Sequence, residues 1–164
     1  KITHRLLGFA RHMDVQSETI DLESLLKEVL GFLEKEAEYR NLVIGFDVAA
    51  DLPTVVGDRG QLQQVFLNIL NNAFAAVPDG GRIDVSAADE GVDKVAVTIA
   101  DNGVGIPKDN LERIFEPFFT TKQGSGTGLG LSITYGIVNK LGGKILVDSE
   151  PGRGTSFKVI LPRG

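Results

Sequence analysis

Cysteine is absent from all 164 residues, which excludes a disulfide framework, a thiolate zinc site and a cysteine nucleophile, and suits a reducing cytosol. Positive charge is scarce as well. There are 17 Lys and Arg against 22 Asp and Glu, and the formal net charge of -5 disfavours a nucleic-acid binder, whose affinity comes from many basic contacts that release counterions. No apolar run approaches the roughly 20 residues of a membrane span, and no signal peptide precedes the first helical pattern. A soluble, cytoplasmic piece without membrane contact of its own is expected, even for a membrane-anchored parent protein. The chain is too short for two full domains at roughly 100–150 residues each, which implies one domain and a fragment of another.

What is present has clear periods. Ile2, Leu6, Phe9 and Met13 alternate at spacings of four and three and draw one apolar seam down a helix too short to be stable alone. That segment starts within a helical pattern, which points to a longer parent chain. Its seam wants a partner helix, or else packs on the rest of this chain. The polar stretch from Asp14 to Thr19 marks a boundary, with residues 1–17 as a helix fragment and 18–164 as the globular domain. Asp21 reads as the N-cap of a helix whose core stripe is Leu22, Leu25, Leu26, Val29 and Leu33. Leu42 to Val48 reads as a strand. After the punctuation of Pro53 and Gly57, Asp58 caps a helix carrying Leu62, Val65, Phe66, Ile69, Ala73 and Val77.

The turn Pro78-Asp79-Gly80-Gly81 leads into two alternating strands, Ile83/Val85/Ala87 and Val95/Val97/Ile99, joined by a hairpin loop at Asp89 to Asp93. A short helix is expected at Leu111 to Phe115, then a loop without periodicity from Thr120 to Gly128. A helix from about Leu129 to Leu141 stops at Gly142-Gly143, and two strands close the chain with Ile145/Val147 and Phe157/Val159/Leu161. Helices mixed with mostly hairpin-joined strands predict an α+β fold, a two-layer sandwich of about five strands in a mixed sheet on about three helices.

Four segments carry chemistry. Asn68 and Asn72 stack on one helix face beside Asn71, which taken alone reads more readily as a solvated polar edge than as oxygen ligands for a hard cation such as Mg2+. Asp101-Asn102-Gly103-Val104-Gly105 follows a strand, where a carboxylate and bare backbone meet at one sheet end; a plain turn is the alternative. Gly124 to Ser132 leads into a helix with exposed N–H groups and the helix dipole converging, an arrangement that cradles phosphate. It lacks the Gly-Lys-Ser/Thr ending of a P-loop and the flanking strand and acidic residue of a dinucleotide fingerprint. Phe115, Phe118 and Phe119 anchor or fill beneath Thr120-Thr121-Lys122, whose ammonium suits a terminal phosphate.

In this order the segments resemble the catalytic, ATP-binding domain of sensor histidine kinases, a family sharing its fold with DNA gyrase, Hsp90 and MutL. The likeness runs from about Asp21 to Pro162: an N box at Gln61 to Ala76, a G1 box at Asp101 to Gly105, an F box at Phe115 to Phe119, a G2 box at Gly126 to Leu131, and a closing box at Gly152 to Phe157. The short lid ending in Thr120-Thr121-Lys122 is most similar to the nitrogen-regulation (NtrB-like) branch. The resemblance implies a Bergerat ATP-binding fold and roles residue by residue. Asp101 would take the adenine amino group with Thr155 helping through water, while Gly103 and Gly105, with Ile106 and Phe115 nearby, would let adenine approach. Asn72 would ligate Mg2+ and Asn68 assist near the phosphates. Thr121, Lys122, Gly126, Thr127, Gly128, Leu129, Gly130 and Leu131 would hold the triphosphate.

Two departures shape the expected activity. Hydrolysing members of the superfamily carry a Glu where Asn68 stands, placed to activate water, and Asn cannot take a proton. Transfer to a neutral imidazole needs no such base. The family's acceptor pattern, a His followed by an acidic residue and a basic-Asn-Pro run, is met neither at His4-Arg5-Leu6 nor at His12-Met13-Asp14. The resemblance therefore implies the donor half of a kinase, with residues 1–17 as the tail of the dimerisation helix that follows the acceptor helix, acting on a dimerisation and phosphoacceptor domain in a homodimer and feeding a response regulator. A silent nucleotide-binding module and an anti-sigma-type serine kinase are the competing readings.

Overall fold

The computed structural model describes residues 18–111, 113–115 and 130–163. In chain order the elements are β1 (Glu18–Ile20), α1 (Leu22–Phe32), α2 (Glu34–Tyr39), β2 (Val43–Val48), β3 (Val55–Gly57), α3 (Arg59–Ala76), β4 (Arg82–Asp89), β5 (Lys94–Asp101), α4 (Lys108–Leu111), α5 (Gly130–Lys140), β6 (Lys144–Glu150) and β7 (Gly154–Pro162). Five strands form a mixed sheet in the order β2-β4-β5-β7-β6, and β1 pairs with β3 in a separate two-stranded sheet.

Caps begin the helices where the sequence places them. Asp21 Oδ1 accepts from the Glu23 and Ser24 N–H groups, and Asp58 Oδ1 accepts from Gln61 N–H at 3.1 Å, filling orphan donors of α1 and α3. The helical stripe then goes inside: Leu22, Leu25, Leu26 and Val29 from α1, and Leu62, Val65, Phe66, Ile69, Leu70, Ala73 and Phe74 from α3, are buried. They meet one face of the sheet, where Ile83, Val85, Ala87, Val95, Val97, Ile99, Phe157, Val159 and Leu161 join the same cluster. Register makes this face continuous, since Val85 lies opposite Ile99 and Ile99 opposite Phe157. Phe66 is fully buried in that layer, and its truncation to Ala would cost about 3–5 kcal/mol.

Several sequence expectations need correction. Two short strands lie outside the expected set, since Glu18 to Ile20 form β1 and Gly57 belongs to β3; strands of three residues are too short to display alternation. The helix expected to run through Leu33 breaks there, because Leu33 leaves helical geometry (φ -107°, ψ 2°) and α2 starts afresh. Asn41, at φ 57°, then takes the left-handed position that ends α2. β2 and β4 run parallel while the other neighbours in the sheet run antiparallel, which is the mixed sheet expected. The short helix is Lys108–Leu111 rather than Leu111 to Phe115: the Pro107 carbonyl accepts from Asn110 and Leu111, and proline is suited to opening a helical turn.

One side chain bolts α2 to the far end of α3. Arg40 donates from Nη1 to the Phe74 carbonyl and from Nη2 to the Val77 carbonyl, each at 2.7 Å, and from Nε to Asp79 Oδ1 at 2.8 Å. Those carbonyls are among the orphan acceptors that every helix C-terminus leaves, and a cation there also suits the helix dipole. The hydrogen bond to Asp79 is the main cause that raises the Arg40 pKa above its ordinary value.

Candidate functional site

The carboxyl end of β5 is built around Asp101. Its Oδ1 accepts from Gly103 N–H at 2.8 Å and from Thr155 N–H at 3.3 Å, so the loop after β5 and the start of β7 both close on one carboxylate. Backbone ties continue outward: Val104 N–H donates to the Ala76 carbonyl at 3.1 Å, and Gly152 N–H to the Val104 carbonyl at 2.8 Å. The loop is thereby pinned between the C-terminus of α3 and the β6–β7 turn. Glycine is needed here for packing against the protein itself. A Cβ on Gly103 would meet Ala76 backbone atoms at 2.5 and 2.6 Å, and Gly105, at φ +78°, leaves no room beside Glu150 and Pro151.

Along α3 lies the amide row. Asn71 is exposed while Asn68 and Asn72 are half-buried. Asn68 Nδ2 donates to the Gly130 carbonyl and to Thr134 Oγ1, both at 3.1 Å, and its Oδ1 accepts from Gln64 Nε2 at 2.8 Å. Because a carbonyl only accepts, the nitrogen must face Gly130, which fixes the orientation of the amide. A carboxylate at this position could not donate to the Gly130 carbonyl. Thr134 is fully buried and donates onward to the Gly130 carbonyl at 2.9 Å. Asn72 Nδ2 donates to the Asn68 backbone carbonyl at 3.0 Å, which places the Asn72 amide oxygen on the opposite branch of the side chain.

The donor set fits a magnesium nucleotide. A carboxylate gripped by two backbone N–H groups beside a buried hydroxyl suits a purine amino group, and amide oxygens on the adjoining helix suit a hard cation. Among the described residues no three His, Cys, Asp or Glu side chains gather to hold a metal unaided. A magnesium ion here would depend on an amide oxygen together with phosphate oxygens and water.

A match to the family described as histidine kinase-, DNA gyrase B-, and HSP90-like ATPase runs over residues 57–164, from the end of β3 through β7. The chain belongs to that family. Sensor kinase CckA of Brucella abortus (strain 2308) is 41% identical over 177 aligned residues, covering 99% of this chain and 19% of that protein. Sporulation kinase A of Bacillus subtilis (strain 168) is 42% identical over 163 residues, covering 99% of this chain and 27% of its own length. The chain thus spans less than a third of either relative. Among solved structures, the nucleotide-free catalytic domain of histidine kinase ThkA superposes with a TM-score of 0.82 at 33% identity, over 91% of this chain and 99% of that one. ThkA in complex with response regulator protein TrrA superposes at 0.78 and 28% identity, over 99% of this chain and 49% of that one.

Within this fold, the Asn68 amide of α3 meets the start of α5 in one cluster, and hydrogen bonds link Asp101, Gly103, Ile106, Ser149 and Thr155 in another. Gly130 opens α5, where the Asn68 amide reaches it, and Leu131 packs half-buried against the core. Phe115 stacks on Tyr135 of α5, ring centroids 5.3 Å apart, so its ring is used in packing. Thr121, Lys122, Gly126, Thr127, Gly128 and Leu129, the seam Ile2 to Met13, and Phe118 and Phe119 lie outside the described residues. Sequence reasoning passed over Ser149 and Thr134. Ser149 Oγ accepts from Ile106 N–H at 2.7 Å and stands 2.7 Å from Thr155 Oγ1. Its position opposite Thr155 in the β6–β7 register was the available signal.

Proposed function

We propose that this chain is the ATP-binding catalytic domain of a two-component sensor histidine kinase, which passes the γ-phosphate of ATP to a histidine on the dimerisation domain of its own homodimer, for relay to a response regulator. The observation that carries this reading is the Asn68 amide, a donor to the first turn of α5. Position 68 serves the fold as a tether and offers no carboxylate to deprotonate water. What remains is placement: α3 and α5 are held at fixed spacing, and Asp101 fixes the purine end, so a bound nucleotide is aimed at an acceptor brought from outside. Mg-ATP supplies the phosphoryl group and the cation that neutralises its charge. In this reading Asp101 receives the adenine amino group, Thr155 assists it, and Gly103, Gly105, Ile106 and Phe115 shape the purine end. Asn72 holds Mg2+ with Asn68 beside it, and Lys122, with Thr121 and the segment Gly126 to Leu131, holds the phosphates. Lys122 acts as a movable counter-charge.

The relatives support the partners, since both are named kinases and the ThkA structure was solved with a response regulator. No helix among the described residues is long and apolar enough to cross a membrane, and we place this domain in the cytoplasm with ATP. Incubating the chain with Mg-ATP labelled at the γ-phosphate and a separately purified acceptor domain should give acid-labile, alkali-stable label on that domain. ATP binding without label on the cognate acceptor would leave a silent nucleotide module, and acid-stable label would indicate a serine kinase.

A further inference from the structure

The Ser149 hydroxyl is saturated in only one consistent way. Its Oγ lies 2.7 Å from the Ile106 nitrogen, 3.0 Å from the Gly154 carbonyl oxygen and 2.7 Å from Thr155 Oγ1. The Ile106 amide can only donate and the Gly154 carbonyl can only accept. A serine has one proton and two lone pairs. The proton goes to Gly154, and the lone pairs take the Ile106 N–H and the Thr155 O–H. Reversing the Ser149–Thr155 bond would leave the Ser149 and Gly154 oxygens 3.0 Å apart with no proton between them. Thr155, buried at 5% exposure beside Asp101, therefore has its proton turned away from the purine end and offers lone pairs only. Asp101, as a carboxylate, is an acceptor too.

We infer that Ser149 is a specificity-determining positioning residue: by holding the Thr155 proton it makes the purine-facing pair acceptor-only, favouring a purine that donates from position 6, an amino group, over one that carries a carbonyl oxygen there. This rests on the adenine site proposed above. Adenine meets the requirement through its amino hydrogens, directly or through a water, and hypoxanthine does not. Ser149 also ties the loop after β5 to β6 through Ile106, so the same hydroxyl sets the wall of the pocket and its polarity.

ATP and ITP differ at that position, so the test is their binding to the chain by calorimetry, together with hydrogen exchange of the Ile106 amide without nucleotide. The wild-type chain should prefer ATP. Ser149→Ala should weaken ATP about fivefold, leave ITP within about twofold, and speed Ile106 exchange. Ser149→Thr, which restores a hydroxyl, should recover the preference. Thr155→Val should lower the ATP to ITP ratio by about the same factor with Ile106 exchange as in wild type, and it decides the matter if Ser149→Ala fails to fold. Equal weakening of both nucleotides in Ser149→Ala, or an unchanged ratio in Thr155→Val, overturns the relay while leaving the adenine site standing. A wild-type chain that binds ATP and ITP alike removes both.

Discussion

The two ends of the proposed nucleotide site are made of different material. At the purine end, β5, β7 and the β6–β7 turn meet through strand register and main-chain bonds, and even the Asp101 side chain is satisfied by backbone N–H groups. At the proposed phosphate end, α3 reaches α5 through a side chain, the Asn68 amide bonding to Gly130 and Thr134. In the proposed reading, recognition of the base is thus inseparable from the folding of the sheet. In the same reading, the cation beside the phosphates rests on a helix face that can be altered without dismantling the core.

Substitutions can break this contrast or sharpen it. The largest effect is expected from Gly154→Val. Gly154 sits at φ +122°, and a Cβ there would land on the Asp101 carbonyl, so urea unfolding should show a loss of about 3 kcal/mol with ATP binding lost alongside. Retention of both would refute a purine end built from backbone. Asp101→Asn preserves shape but replaces an acceptor with an amide, and calorimetry should record ATP affinity reduced about 10- to 100-fold. Next comes Arg40→Met, which leaves the carbonyls at the end of α3 without their donor: a loss of about 2 kcal/mol is expected, with ATP affinity within about twofold.

The pH dependence of that last difference follows from its sign. The Arg40 pKa is raised by its hydrogen bond to Asp79, so its contribution is complete below the unfolded guanidinium range and fades only as pH climbs through the higher folded value. Wild type and variant should keep a constant gap from about pH 6 to 9, and a gap that closes within this range would argue against a guanidinium cap. Asn72→Ala should abolish about a tenfold enhancement of ATP binding by Mg2+ and leave metal-free affinity unchanged, with a stability change of no more than about 1 kcal/mol from the lost bond to the Asn68 carbonyl. Smallest is Asp58→Ala, expected to cost about 1 kcal/mol through the N-cap of α3 without touching nucleotide affinity.

The same contrast governs what the sequence made legible. α1, α3 and the alternating strands could be read residue by residue, because burying one face imposes a period on the chain. Asp21 and Asp58 announced their helices for an equally local reason. β1 and β3 escaped because three residues pair across a gap of more than thirty positions and leave no local pattern. At the site, Asn68 and Asp101 stood out as polar residues in apolar or glycine-rich surroundings. Their immediate partners did not: Thr134 and Ser149 look like ordinary helix and strand residues until tertiary structure brings each beside the group it bonds. Gly103 could be read as conformationally free, but that its missing side chain makes room for Ala76 depends on how α3 packs.

The bond from Thr155 to Asp101 joins positions 54 apart in the chain, and β7 enters the sheet between β5 and β6. During synthesis at about 5–20 residues per second, α1, α3 and the β4–β5 hairpin emerge several seconds before β7 can close against them. Until then β5 is an open edge and the base has nowhere to sit. ATP can therefore reward only the last step of folding, as a clasp fastened after the garment is on, and a nascent chain stalled before Gly154 should depend on chaperones rather than nucleotide for protection.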